Sequence, residues 1–461
     1  MEVHAPQRPD TVASSHSAAD QGSESAFGPD ALDRFPGFWA LVGYSILFGV
    51  ALALVSLAFL GLVKGGTNLW FTLPKNPDWL SGKPWWLAVT AGAGLLVGAL
   101  RVLLRVPEKM GGTIAALREA RVEPTTVFRA VAVSLVSLVG GASLGPEAAL
   151  GEMGGGFGTW ISARRKLDEK TSATNTLSAI GASFGGMLSS PVLATSLVVE
   201  VARPRLERLS AVLFAVLLSS TVAFAVYYPI AGSTFLGVYR LPPFAYKDWQ
   251  LAAAIPLGLV AGALALTTIV AIGLLKKLTA PLAERTILRS TLGGIAFGLL
   301  GIALPLTMFT GTDQLTDVIH DGAALGAGLI IAMVFAKILA FAICESTGFI
   351  GGPILVLLFI GGTAGIATHL VVPGIPEGLA FATMFAAILG SIMSAPFTLI
   401  VLAAITTQIG ALQITPVAVA VLTAYLAVSG SGALAALMRR AQTSTQSSHN
   451  TQVGPKEGSD E

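Results

Sequence analysis

Apolar residues run through this chain in stretches long enough to cross a bilayer, while polar residues gather at its ends and in short connections. At roughly 20 residues per crossing, Phe38–Val63, Trp85–Leu104, Val127–Leu144, Ala211–Ile230, Leu251–Leu274, Ser290–Met308, Ala323–Phe341 and Thr415–Leu437 each predict a spanning helix. Between them lie Ala148–Ile161, Leu177–Ser190, Val192–Val201, Ile350–Leu370, Leu379–Met393 and Phe397–Ile409, most of them shorter and broken by glycine. Pieces of about 10–14 residues are too short to cross alone and predict half-helices buried in protein. The expected fold class is an all-α polytopic membrane protein that mixes full and broken transmembrane helices.

The polar ends predict disordered tails over 1–34 and 441–461, flanking a transmembrane domain at 35–440. The first tail lacks the basic start and short apolar core of a signal peptide. Composition agrees with the pattern. Only 12% of the 461 residues are charged and 53% are hydrophobic, with a mean hydropathy of +0.75. A soluble domain carries about 25% charged residues, so lipid is the expected solvent. A net charge of +2 and the lack of a basic stretch interleaved with aromatics give no nucleic-acid partner. One cysteine, Cys344, excludes an intrachain disulfide and a thiolate metal cluster, and no metal or cofactor is implied. Basic residues cluster in Arg101–Arg129, Arg164–Lys170, Arg203–Arg208, Lys276–Arg289 and Arg439–Arg440. By the positive-inside rule these loops and both termini are expected in the cytoplasm, most simply at the cell membrane. The segment Thr67–Trp86, with four tryptophans, reads as an interfacial loop on the other face.

The chain also repeats itself. SLGPEAALGEMGGGFGTWI and FIGGPILVLLFIGGTAGIA each hold a glycine turn ending in Gly-Pro, a short apolar helix and a second glycine cluster. AIGASFGGMLSSPVLATSLVVEV and FAAILGSIMSAPFTLIVLAAITT each end a small-residue helix at Ser-Pro or Ala-Pro and start another. Pro191 follows Pro146 by 45 residues and Pro396 follows Pro353 by 43. The pattern predicts an inverted repeat, with halves at about 35–232 and 250–440 and a binding site between them. Chance likeness among small-residue membrane helices is the alternative.

Glycine lets backbone approach a ligand closely and proline suits a helix start. The residues Ser143, Leu144, Gly145 and Pro146, and Phe349, Ile350, Gly351, Gly352 and Pro353, therefore read as loops feeding helix N-termini. Free N–H groups and the positive dipole end there would bind an anion without a fixed cation. Binding by partial charges is also weak enough to allow release.

At these residues the chain resembles the CLC chloride channel and proton/chloride exchanger family, over roughly Phe38 to Leu437. GASLGPEAALGEMGG (Gly141–Gly155) is similar to the family's Gly-Arg-Glu-Gly-Pro loop, SSPVLATSLVVEVARP (Ser189–Pro204) to the helix pair that ends in acids and Arg-Pro, and STGFIGGPILVLLFIGG (Ser346–Gly362) to its second glycine-rich anion loop. The resemblance implies a homodimer with one pore per subunit and backbone amides around Ile350 and Gly351 facing the anion. It also exposes departures. Ser143-Leu144 stands where the family has Arg-Glu, so Leu144 takes the gating-glutamate place. Val201, after Glu200, takes the place of the internal proton-relay glutamate. No clean counterpart of the first anion loop is found around Val106–Thr113, and the late tyrosine is missing near Leu437.

Two acids remain as gating or proton candidates. Glu147 reads as a displaced gate or as a carboxylate stabilised by its own helix start. Glu200 reads as a cytoplasmic proton acceptor or, more simply, as a partner of Arg203 and Arg205. Lys337 would snorkel or pair with Glu345, and His320 and His369 read as local hydrogen bonders. Gly141-Ala142-Ser143-Leu144-Gly145 also fits the Gly-x-Ser-x-Gly pattern of some serine nucleophiles. No sequence feature brings a histidine to Ser143, and no enzyme is expected. The expected function is movement of a small anion, chloride first, by a channel or passive transporter uncoupled from protons. The alternatives are proton-coupled exchange through Glu147, or transport of fluoride or another small anion.

Overall fold

The computed structural model describes residues 37–71, 82–107, 112–233, 237–393, 395–430 and 432. They contain fifteen α-helices: α1 (Phe38–Trp70), α2 (Trp86–Leu103), α3 (Gly112–Glu119), α4 (Pro124–Val139), α5 (Glu147–Arg164), α6 (Glu169–Met187), α7 (Pro191–Ala202), α8 (Leu206–Ala231), α9 (Trp249–Thr279), α10 (Thr286–Ala303), α11 (Thr312–Thr347), α12 (Ile354–Val371), α13 (Glu377–Gly390), α14 (Pro396–Thr407) and α15 (Ile414–Gly430). The expected tails, and the last predicted span from 433 onward, lie outside the described residues.

The chain is an all-α polytopic membrane protein. Seven helices (α1, α2, α8, α9, α10, α11 and α12) are long and apolar enough to cross a bilayer. The most apolar windows of α1, α2, α8, α9 and α10 are only 33–39% buried, whereas that of α12 is 72% buried. Those five helices therefore present faces to lipid, and α12 sits inside. Its neighbour α13 is buried from Gly378 to Gly390 on every side.

Local chemistry explains where the helices depart from the apolar windows. Helix α6 starts eight residues ahead of the predicted Leu177, because the Asp168 side chain accepts the Thr171 N–H at 3.2 Å and caps it. At the next start, Ser190 accepts the Leu193 N–H at 3.2 Å and Pro191 opens α7. Helix α4 stops at Val139, short of the predicted Leu144. Gly141 adopts a left-handed φ of 81° there, and a Cβ on it would meet Met308 and Phe71. Helix α10 likewise ends at Ala303 rather than Met308, and a short 3₁₀ turn follows. Helix α11 extends over 36 residues against a predicted 19, in two arms divided at Gly326 (φ 77°, ψ 153°). Amphipathic α3 was not predicted at all; its polar residues hide it from an apolar window.

Small residues let the helices approach closely, as membrane packing requires. Ser219 Oγ donates to the Ser178 carbonyl at 2.7 Å and Ser178 Oγ to the Ala215 carbonyl at 3.0 Å, tying α6 to α8. Helices α2 and α10 touch through glycines. A Cβ on Gly98 would lie 2.6 Å from the Ile287 Cα, and one on Gly294 would strike the Thr90 carbonyl. Gly98→Val is therefore expected to force α2 from α10 and cost about 1–3 kcal/mol. Thermal unfolding in detergent checks this, and an unchanged midpoint would contradict the close approach.

Candidate functional site

The two glycine turns meet at the centre of the protein. Gly145 N–H donates to the Gly352 carbonyl at 2.8 Å, and Gly352 N–H returns a bond to the Gly145 carbonyl at 2.7 Å. Each glycine sits just before a proline whose carbonyl accepts the first bond of the following helix: Leu150 N–H to Pro146 and Leu357 N–H to Pro353. The N-termini of α5 and α12 are thereby pinned back to back.

Glu147, the first residue of α5, is completely buried. Its side chain folds across the bridge to the other helix, where Oε1 accepts the Leu355 N–H at 3.1 Å. Oε2 has no hydrogen-bond partner among the described residues. A Cβ on either Gly145 or Gly352 would occupy the space of this carboxylate. Both positions therefore need glycine for room rather than for backbone freedom. A carboxyl group of the protein thus occupies an α-helix N-terminus, where orphan N–H groups and the dipole favour an anion.

The other predicted residues divide. Leu144 and Ser143 are fully buried. Leu144 packs on Gly351, where a Cβ would lie 2.5 Å from its own. The Ile350 N–H does not point to an open site, because it donates to Ser137 Oγ at 3.2 Å. The Phe349 N–H is bonded to the Cys344 carbonyl at 3.3 Å. Of this loop Phe349, Ile350, Gly351 and Pro353 line the central cavity, together with Glu147.

That cavity holds about 950 Å³ and runs from Glu147 to Lys276, Thr279, Ala280 and Ala283 at the end of α9, the basic face of the protein. Arg101, Arg289, Glu152 and Glu345 also border it. The residues that shape its wall were not singled out from sequence. Thr113 Oγ1 donates to the Glu147 carbonyl at 3.0 Å. Arg101 donates to the carbonyls of Gly348 (3.2 Å) and Pro107 (3.0 Å), and Ser290 Oγ holds the Thr347 carbonyl at 2.8 Å. Ser137, lying four residues before Gly141, was the one legible signal, as a polar side chain on an apolar helix next to a turn.

Glu200 is in a different place from Glu147 and has a different partner from those expected. It does not close on Arg203 or Arg205 in any ion pair found among the described residues. Instead its carboxylate accepts the N–H groups of Phe397 (2.9 Å) and Thr398 (2.7 Å) and the Thr398 hydroxyl (2.7 Å), capping α14. Pro396 supplies no N–H, so these are the first two amides that α14 can offer. Val201 beside it is buried and apolar.

Lys337 does not pair with Glu345, which instead faces Lys276 at 3.4 Å. Neither histidine reaches Ser143: His320 Nδ1 is 2.8 Å from the Thr316 carbonyl and His369 Nδ1 is 2.8 Å from that of Ile375.

The sequence profile of the family described as "Voltage gated chloride channel" matches residues 106–429. The chain belongs to the voltage gated chloride channel family. Among curated relatives of this family member is the "Putative ion-transport protein YfeO" of Salmonella choleraesuis (strain SC-B67), 27% identical over 367 residues, covering 76% of this chain and 84% of that one. The YfeO of Salmonella paratyphi A (strain ATCC 9150 / SARB42) is 26% identical over the same shares. The fold of this CLC-family chain is shared with a slow cyanobacterial Cl⁻/H⁺ antiporter (TM-score 0.75, 20% identity, 87% of this chain and 97% of that one). A CLC-type fluoride/proton antiporter is also similar (TM-score 0.69, 19% identity, 84% and 94%). The inverted repeat of full and broken helices is thus the CLC architecture.

Two predictions follow from the geometry of this CLC chain. Gly352→Ala is expected to destabilise it by displacing the Glu147 side chain, and Glu147→Ala should relieve part of that loss. A double-mutant cycle on thermal stability should give a coupling of about 1 kcal/mol or more; additivity would contradict the contact. Glu200→Ala should cost about 2–3 kcal/mol, since three bonds to a charged acceptor are lost. The same unfolding assay checks it, and a near-wild-type midpoint would leave α14 capped by something else.

Proposed function

We propose that this CLC-family protein moves a small anion, chloride first, through the bilayer by way of the N-termini of α5 and α12, and that Glu147 is its gate. The observation that carries the reading is the bond from the Leu355 N–H to Glu147 Oε1. The carboxylate stands where a permeant anion would be held by the same amides. An anion and the charged carboxylate therefore exclude one another, and protonation of Glu147 frees the site. Protons in this reading regulate the path without being carried in fixed ratio, because Leu144 and Val201 place no titratable group where the family's two exchanger acids stand. The cavity is the inner approach, with the cationic side chains of Arg101, Lys276 and Arg289 on its wall to meet an anion. The basic loops support a cytoplasmic position for that face. The protein would work as a homodimer in the cell membrane, with one path in each subunit and the repeat halves on either side of the Gly145–Gly352 bridge.

Proton-coupled exchange is the second reading. It is favoured by one observation: Glu147, Glu152 and Glu345 all border the same cavity, which gives protons a route from the basic face to the gate.

Purified protein in chloride-loaded liposomes separates the two. The proposal expects efflux that requires a potassium ionophore, rises as pH falls and moves no protons uphill. Glu147→Gln should conduct at least as fast at neutral pH and lose the acid dependence. Uphill proton movement in fixed ratio would establish the second reading, whereas a pH dependence unchanged in Glu147→Gln would remove Glu147 from the gate. Silence toward chloride with flux of fluoride or nitrate would change the anion and leave the path.

A further inference from the structure

Lys337 is the most unusual side chain outside the site. It lies in the second arm of α11, after Gly326, and is fully buried, with no carboxylate paired to it among the described residues. A buried ammonium is tolerated only when its donors are satisfied. Here Nζ donates to the Met308 carbonyl at 3.0 Å and the Phe309 carbonyl at 2.8 Å, and it lies 4.8 Å from the centroid of the Phe359 ring. All three contacts concern one small region. Phe359 is on α12, one turn beyond the Leu355 that bonds Glu147. Phe309 is bonded to the first glycine turn, its N–H donating to the Gly141 carbonyl at 3.2 Å.

Phe309 itself is strained. It holds a left-handed φ of 59°, a region that a bulky residue rarely adopts and keeps only when its surroundings impose it. The surroundings are Lys337 on its carbonyl, Gly141 on its N–H, and Phe71, whose ring packs edge-on at 5.2 Å. Phe309 is buried and lies beyond the end of α10, which begins at the basic face and crosses to the other side. The ring therefore covers the Gly141 turn from the side opposite the large cavity.

We propose that Lys337 is the positioning residue of an outer latch: its ammonium holds Phe309 in the strained conformation that closes the outer side of the Gly141–Gly145 turn. The inference rests on the anion-path reading for its purpose but not for its test. The cavity gives one face an approach to Glu147, and in this reading the Lys337–Phe309 contact closes the Gly141 turn on the other. Lys337 does not touch the anion. It acts through Phe309.

Cys344 supplies the measurement. It is the chain's single cysteine, is fully buried, and lies two turns inward of Lys337 with its thiol against the Ser143 N–H. A membrane-impermeant methanethiosulfonate is applied to the outer face of intact cells, or to the inner face in inverted vesicles, and Cys344 modification is read by mass spectrometry of the full chain. Lys337→Met keeps the length and the contact with Phe359 but removes both donors. Phe309→Gly removes the ring and eases the backbone, so it should fold even where Lys337→Met does not. Each is expected to speed outer-face labelling by about tenfold or more, as loss of charge-assisted bonds should, with inner-face labelling unchanged. Faster labelling from both faces would mean general loosening and would overturn the latch. So would wild-type labelling in both folded variants. Because labelling needs no ion flux, a protein that carries no anion would sink the transport reading and leave this result standing.

Discussion

Inside a bilayer a backbone N–H or C=O that leaves a helix must be bonded by the protein itself, since neither lipid nor bulk water will do it. This chain leaves its helices at Gly140–Pro146 and again at Gly348–Pro353, and much of its central architecture answers the demand. Gly145 and Gly352 satisfy one another. Ser137 takes the Ile350 N–H, Arg101 serves the Gly348 carbonyl, and Lys337 serves Met308 and Phe309. At the α12 start Glu147 takes the Leu355 N–H. The proposed gate and the structural cap are therefore one carboxylate, so in that proposal an ion that displaces it must offer the Leu355 amide an equal partner.

The same solution appears at α14, where Glu200 from the first half caps a proline-started helix of the second. Two acids of the first half thus close two helix starts of the second. They differ in setting: Glu147 is wholly buried beside a cavity and keeps one oxygen unbonded, while Glu200 has both oxygens engaged. Only the first is poised to change partners. The start of α5 itself has no side-chain cap, and Thr113 donates instead to the Glu147 carbonyl there.

Spans and half-helices were legible because they depend on apolar length, a property each segment carries alone. The Gly-Pro turns were legible because backbone geometry demands those residues locally. Partners were not. That Glu200 meets Phe397 and Thr398, nearly 200 residues away, follows from how the halves invert and pack, and Arg203 looked the better partner only because it was near in sequence. Lys337 was misread for the same reason, Glu345 being two turns along its own helix while the carbonyls it serves belong to a preceding loop. Helix ends suffered where a polar first turn, as at Glu169–Asn175, continued a helix past its apolar window.

The reciprocal bond between Gly145 and Gly352 also limits how this protein can move. Rocking one half of the repeat against the other would stretch two short hydrogen bonds at once in a medium that offers no replacement. Rotating the Glu147 side chain breaks only one. The cheaper motion leaves the helix framework at rest, so a gate at Glu147, as proposed, would work by torsion angles at one residue, with a backbone nearly the same whether the path is open or shut.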